Sequence, residues 1–198
     1  MFKIAVLISG DGSNLQAIID NIESGKLNCE IAAVVSDREG AYGIERAKQH
    51  NIQTYVLDRR KYRDSLSDEI LSIFKDKVDL IVLAGYLSIL KGKILKDFKK
   101  KIINIHPSLL PEFGGKGLYG SKVHDCVLEA GVKVTGCTVH YVEEDIDAGE
   151  IILQKTVPVL KDDTAALIKE RVLEQEHLAL SQAIELIISN KKSLIKES

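Results

Sequence analysis

Short, unbroken apolar runs separated by segments of helical periodicity constrain this chain more than any other feature. Lys3–Ile8, Glu30–Val35, Asp79–Ala84 and Ile102–Ile105 are rich in Ile, Val and Leu and lack the alternation of a half-exposed strand. A strand buried on both faces reads this way. Between them, Leu15–Glu23, Gly43–His50, Tyr62–Lys75 and Ile94–Lys99 carry apolar residues at helical spacing, and Gln53–Leu57 reads as a further strand. Gly25 stops the first of these helices. The alternation predicts the α/β class, with a mostly parallel sheet and helices on both faces. The pattern changes after the loop Pro107–Gly120. A helix over Ser121–Glu129 is followed by longer strands over Lys133–Val142 and Ile151–Val159. The acidic turn Glu143–Gly149 between them predicts an antiparallel hairpin, so the C-terminal half holds mixed strands. Ala165–Ser189 reads as a long final helix.

At 198 residues the chain fits a single domain that buries a core without disulfides or metals. Hydrophobic residues make up 45% and charged residues 28%, as in ordinary globular proteins. The net charge of −2 offers no global basic field for nucleic acid. The lysine clusters at 99–101 and 191–192 read as solvated surface. Cys29, Cys126 and Cys137 form no C-x-x-C pair, so free thiols in a reducing cytoplasm are expected. No run reaches membrane-spanning length, and no signal peptide is expected before the first strand.

Four segments carry candidate chemistry. In Asn104-Ile105-His106-Pro107, residues two apart on a strand share a face, so Asn104 and His106 project together. Pro107 keeps His106 extended. A carboxamide beside an imidazole at a strand's C-terminal end suits stabilisation of a developing oxyanion; a strand ending in polar residues at a proline turn has the same pattern. Gly10-Asp11-Gly12-Ser13-Asn14 follows a strand and opens a helix. It suits an anion held by free N–H groups, or a tight turn with Ser13 as N-cap. Leu83–Leu90 sits at a strand's carboxyl end, where its apolar residues line a pocket for a flat ring or belong to the core. The acidic turn ends in Asp147-Ala148-Gly149. A carboxylate there, brought near His106, would raise the imidazole's pKa and favour imidazolium; a solvated acidic loop is the alternative. His50, His124, His140 and His177 show no metal spacing; His140 reads as a structural strand histidine and Glu176-His177 as polar helix face.

Taken together, Ile8-Ser9-Gly10-x-Gly12-Ser13-Asn14-Leu15-Gln16, Leu83-Ala84-Gly85-Tyr86, Asn104-Ile105-His106-Pro107-Ser108-Leu109-Leu110-Pro111 and Ile146-Asp147-x-Gly149 resemble the folate-dependent phosphoribosylglycinamide formyltransferases of purine synthesis, in order and over nearly the whole chain. The resemblance implies a single Rossmann-like formyltransferase domain over 1–198, with a ribonucleotide-binding half (1–100) and a catalytic, folate-binding half (101–198). It implies formyl transfer from 10-formyltetrahydrofolate to the amine of the ribonucleotide, with no metal. Small molecules would be the partners of a cytoplasmic monomer or homodimer, without nucleic acid or membrane. It assigns catalysis to Asn104, a protonated His106 and Asp147, and ribonucleotide binding to Gly12, Ser13, Asn14 and Glu176. The folate site falls on Arg63, Leu87, Ser88, Ile89, Leu90, Asn104, Val142, Glu143, Glu144, Asp145, Ile146 and Asp147. Thr138 occupies a position where relatives often carry a hydroxyl. Three places depart from the better-known members: Ser88 stands where many have arginine, Leu173 where some have lysine near the phosphate, and Phe113–Gly120 differs from the usual loop. Rival readings are a formyltetrahydrofolate hydrolase, a methionyl-tRNA formyltransferase, or a non-catalytic nucleotide-binding module.

Overall fold

The computed structural model describes residues 1–196. In chain order the elements are β1 (Lys3–Ile8), α1 (Ser13–Glu23), β2 (Glu30–Ser36), α2 (Tyr42–Gln49), β3 (Thr54–Val56), α3 (Arg59–Tyr62), α4 (Leu66–Phe74), β4 (Leu80–Leu83), α5 (Lys93–Asp97), β5 (Ile102–His106), α6 (Ser121–Glu129), β6 (Val134–Tyr141), β7 (Ile151–Pro158) and α7 (Ala165–Lys196). One seven-stranded sheet has the order β3-β2-β1-β4-β5-β6-β7. The strands β1 to β5 pair in parallel, and β6 and β7 complete the sheet antiparallel. The expected mixed α/β sheet is therefore present.

Alternation along each strand divides the core. Ile4, Val6 and Ile8 face a cluster shared with Leu15, Ile18, Val172, Leu180 and Ile184 from α1 and α7. Ala5 and Leu7 face the opposite cluster, with Ile70 and Phe74 of α4 and Ile94 of α5. All of β1 beyond Lys3 is buried, which is why it reads as a continuous apolar run.

Two local expectations are corrected. The helix expected over Tyr62–Lys75 is broken into α3, a 3-10 turn at Arg63–Ser65, and α4. Arg63 has φ 44°, a left-handed backbone that no continuous helix accepts. The Asp58 carboxylate caps the short α3 by accepting the Arg60 N–H at 2.8 Å. Ser13 is the first residue of α1 and not its N-cap; Gly12, at φ 78°, takes that position without a side-chain cap. A Cβ on Gly12 would lie 2.7 Å from Gly43 Cα, so glycine lets this turn rest against the start of α2.

The strand order reverses at β1, with β2 on one side and β4 on the other. Ligands of open α/β sheets bind outside the carboxyl ends of the strands at such a switch point. The principal cavity opens there.

Candidate active site

A cavity of about 770 Å³ is lined from both halves of the chain. The Ser9–Asn14 turn supplies one side, Leu83–Leu90 another, and Asn104 and His106 the floor, while the Gly115–Gly120 and Val142–Asp147 loops border it. Leu173 and Glu176 enter from α7. The structure thus brings together every expected site residue except Arg63. The break between α3 and α4 places Arg63 outside this cavity, exposed, with Nε donating to the Arg60 carbonyl at 3.3 Å.

Asn104 and His106 share a face of β5 beside the antiparallel β6. The register sets Asn104 opposite His140 and His106 opposite Thr138. Cross-strand partners lie within side-chain reach. His140 Nδ1 donates to the Tyr141 carbonyl at 2.8 Å, since a carbonyl only accepts. The Asn104 amide nitrogen, which can only donate, lies 3.1 Å from His140 Nε2, so Nε2 is the acceptor. One carboxamide N–H is spent on aiming the group, and the second stays available. His140 is therefore a site residue and not merely a satisfied strand histidine. Its sequence signal was weak because only strand pairing reveals its neighbour. Thr138 braces the loop beyond His106: its Oγ1 donates to the Ser108 carbonyl at 2.7 Å and accepts the Leu110 N–H at 3.0 Å.

Asp147 stands between the two histidines. Its carboxylate lies 3.6 Å from His106 Nδ1 and 3.6 Å from His140 Nε2, ion-pair range but too long for hydrogen bonds. Its own backbone is left-handed at φ 55°, uncommon for a residue other than glycine but tolerated by aspartate. The Gly115 N–H donates to Oδ2 at 2.9 Å. Burial pushes the Asp147 pKa up, but the contact with His140, the Gly115 N–H and the nearby His106 outweigh it, leaving the group below the usual aspartate value. Asp147 is ionised at neutral pH.

His106 departs from expectation. It is 4% exposed, and burial lowers its pKa more than Asp147 raises it. The imidazole is neutral at neutral pH in this state, not imidazolium. Its Nε2 donates to the Phe113 carbonyl at 2.7 Å, which leaves Nδ1 as the lone-pair nitrogen on the Asp147 side. The Phe113–Gly120 loop thus grips both groups through its backbone: a carbonyl on His106 and an N–H on Asp147. A Cβ on Gly114 would collide with Leu110 Cδ2 and lie 3.2 Å from Asp147 Cβ, so glycine lets the loop pack here without displacing either side chain.

On the opposite side, Asn14 Nδ2 donates to Glu176 Oε2 at 2.7 Å, tying α1 to α7. Asn14 Oδ1 is buried without a partner among the described residues. Glu176 is 8% exposed, and burial pushes its carboxyl up to about 7. Lys116 and Lys169 also border the cavity. Burial lifts Cys29 and Cys137 to about 12, so both stay thiols at neutral pH, and neither lines the cavity.

The wall Tyr86–Leu90 leaves Leu87 42% and Ile89 61% exposed, with Ile146 at 39% across the opening. Exposed apolar side chains around a cavity suit a flat ring. Ser88 lies in this wall, but its hydroxyl donates to the Asp37 carboxylate.

The profile of the formyl transferase family matches residues 2–184. The chain is 46% identical over 192 residues to the trifunctional purine biosynthetic protein adenosine-3 of Gallus gallus, covering 94% of this chain and 18% of that protein. It spans about a fifth of the length of such trifunctional relatives. It is 42% identical over 202 residues to the phosphoribosylglycinamide formyltransferase of Dictyostelium discoideum, with 94% of this chain and 98% of that one covered. The crystal structure of glycinamide ribonucleotide transformylase 1 from Symbiobacterium toebii superposes with a TM-score of 0.90 at 42% identity, covering 96% of this chain and 89% of that one.

Proposed function

The chain belongs to the formyl transferase family, and on that premise we propose that it moves the formyl group of 10-formyltetrahydrofolate to the amine of N1-(5-phospho-D-ribosyl)glycinamide. The observation that carries this reading is the meeting of Asn104, His106 and Asp147 between a glycine-rich turn suited to a phosphate and an apolar wall suited to a ring. The phosphate lies on Gly12, Ser13 and Asn14, where the first N–H groups of α1 and its dipole favour an anion. Glu176 accepts from a ribose hydroxyl. The folate ring packs on Leu87, Ile89 and Leu90 and under Val142–Asp147.

The substrate amine attacks the formyl carbon, forming a C–N bond and a tetrahedral oxyanion. The free Asn104 N–H donates to that oxygen. Removing one such donor costs ~10²–10³ in rate. His106 starts neutral, so it takes the proton the attacking nitrogen must lose. The imidazolium so formed is held by Asp147, already ionised beside it, which becomes a better partner as the charge develops. The same proton passes to N10 as the C–N10 bond breaks, releasing tetrahydrofolate and leaving the formyl group on the amine. Proton transfer of this kind contributes ~10²–10⁴. The cavity holds both substrates together, so orientation supplies the rest. No residue needs to form a covalent intermediate.

The test is the absorbance change on deformylation of 10-formyltetrahydrofolate with and without the ribonucleotide. Turnover that requires the ribonucleotide is expected. Equal turnover without it makes the protein a hydrolase and overturns the proposal; no turnover in either case leaves a binding function.

A further inference from the structure

Ser108 lies two residues beyond His106, just past the end of β5, and has no part in the chemistry above. It is fully buried. Its hydroxyl donates to the Phe113 carbonyl at 3.0 Å, the same oxygen that accepts the His106 Nε2–H at 2.7 Å. A carbonyl oxygen has two lone pairs, so it takes both donors. Among the described residues no other group bonds this oxygen. The Ser108 carbonyl in turn accepts Thr138 Oγ1 at 2.7 Å, which ties the serine to β6.

A neutral imidazole carries one proton, on either nitrogen. Two acceptors compete for it here. The ionised Asp147 lies 3.6 Å from Nδ1, and a hydrogen bond to a charged acceptor is the stronger kind. A ring free to choose would turn its N–H on the carboxylate, as the histidine of a Ser-His-Asp triad does. The Phe113 carbonyl forces the opposite choice. An Nε2 without hydrogen would set its lone pair against the carbonyl oxygen at 2.7 Å. The position of that oxygen therefore decides which nitrogen is left to take a proton from the substrate. His140 on β6 and His124 on α6 are the remaining titratable neighbours of the ring, and neither hydrogen-bonds it.

We propose that Ser108 is a positioning residue: its hydroxyl pins the Phe113 carbonyl, which keeps the His106 proton on Nε2 and leaves Nδ1 free as the base. The use of Nδ1 as base rests on the formyl-transfer reading above; the tautomer does not. Phe113 lies in the loop that follows β5, outside the sheet, so no strand ladder holds its carbonyl. The serine hydroxyl closes residues 108–113 into a turn anchored on β6. Two other bonds fix the same loop without reaching this oxygen. Gln154 Nε2 donates to the Leu110 carbonyl at 3.0 Å, and the Gly115 N–H donates to Asp147 at 2.9 Å. Without the hydroxyl, the ring alone would hold the Phe113 carbonyl. A carbonyl so loosely placed does not outcompete an ionised carboxylate, and the proton moves to Nδ1.

The experiment compares the native protein with Ser108→Ala and Gln154→Ala. Long-range proton–nitrogen NMR correlations on protein with isotopically labelled histidine, recorded without ligand above neutral pH, report which nitrogen of His106 carries the proton. His106→Asn identifies its signals. The native protein is expected to hold the proton on Nε2. Ser108→Ala should move a large share of it to Nδ1. It should also lower kcat about tenfold or more, part of the ~10²–10⁴ that proton transfer contributes, with both KM values little changed. Gln154→Ala loosens the same loop from β7 without touching the Phe113 carbonyl, and should keep the Nε2 tautomer and the native kcat. If Ser108→Ala retains the native tautomer, or Gln154→Ala shifts it as far, the proposal fails. A native protein with its proton on Nδ1 overturns it as well. Spectra that change as expected in a protein that transfers no formyl group would sink the reaction assignment and still leave Ser108 setting the tautomer.

Discussion

Replacing Glu176 by Gln should stabilise the unliganded protein above pH 7 and leave its stability unchanged near pH 4. Burial pushes the Glu176 carboxyl from its ordinary 4.5 up to about 7, and the Asn14 amide and Lys169 pull it back less strongly. A carboxyl with a raised folded-state pKa holds its proton more tightly in the folded state than in the unfolded chain. Folding stability is therefore highest below the unfolded value and falls as pH rises from there to about 7, where the loss is complete. A gap of about 2.5 pKa units at about 1.36 kcal/mol per unit corresponds to roughly 3 kcal/mol. Glutamine keeps an oxygen for the Asn14 N–H at 2.7 Å but never ionises, so it escapes this loss. For a domain of this size, each kcal/mol moves Tm by about 2–4 °C. Calorimetric melts of the two proteins without ligand should thus coincide near pH 4 and separate by roughly 6–12 °C at pH 8. A separation that stays constant across this range would show that Glu176 ionises normally and would refute the reasoning.

Asn104→Ala should lower kcat by ~10²–10³ and lower Tm by only a few degrees, because it deletes the oxyanion donor and leaves His140 Nε2 unpaired but opens no large core cavity. His140→Ala should lower kcat by up to ~10² by releasing the Asn104 amide, and adding it to Asn104→Ala should cost little more; additive losses in the double variant would show that His140 acts separately. Gly149→Ala should destabilise the fold by several kcal/mol, because the new Cβ collides with the Tyr141 carbonyl. A denaturant midpoint unchanged from the native protein would contradict that steric argument.

Local pattern carried the sheet. Four of the strands are continuous apolar runs because both faces of the sheet are covered, and that signal survives in any window of sequence. Asn104 and His106 were visible because a two-residue spacing on one strand needs no knowledge of the rest of the chain. The glycine-rich turn was visible for the same reason. The break at Arg63 was hidden, since the helical spacing continues across it and only a left-handed backbone interrupts the helix.

What depends on groups far apart in sequence was decided by tertiary structure alone. Asn104 meets His140 through the antiparallel register of β5 and β6, and Asn14 meets Glu176 through the packing of α1 on α7. The charge state of His106 followed from neither its type nor its neighbours along the chain. A nearby carboxylate argues for imidazolium, yet burial removes more stabilisation from the charged ring than Asp147 restores. Sequence names the pair; only the folded surroundings determine how much water each group has lost, and that loss decides which of them holds the proton.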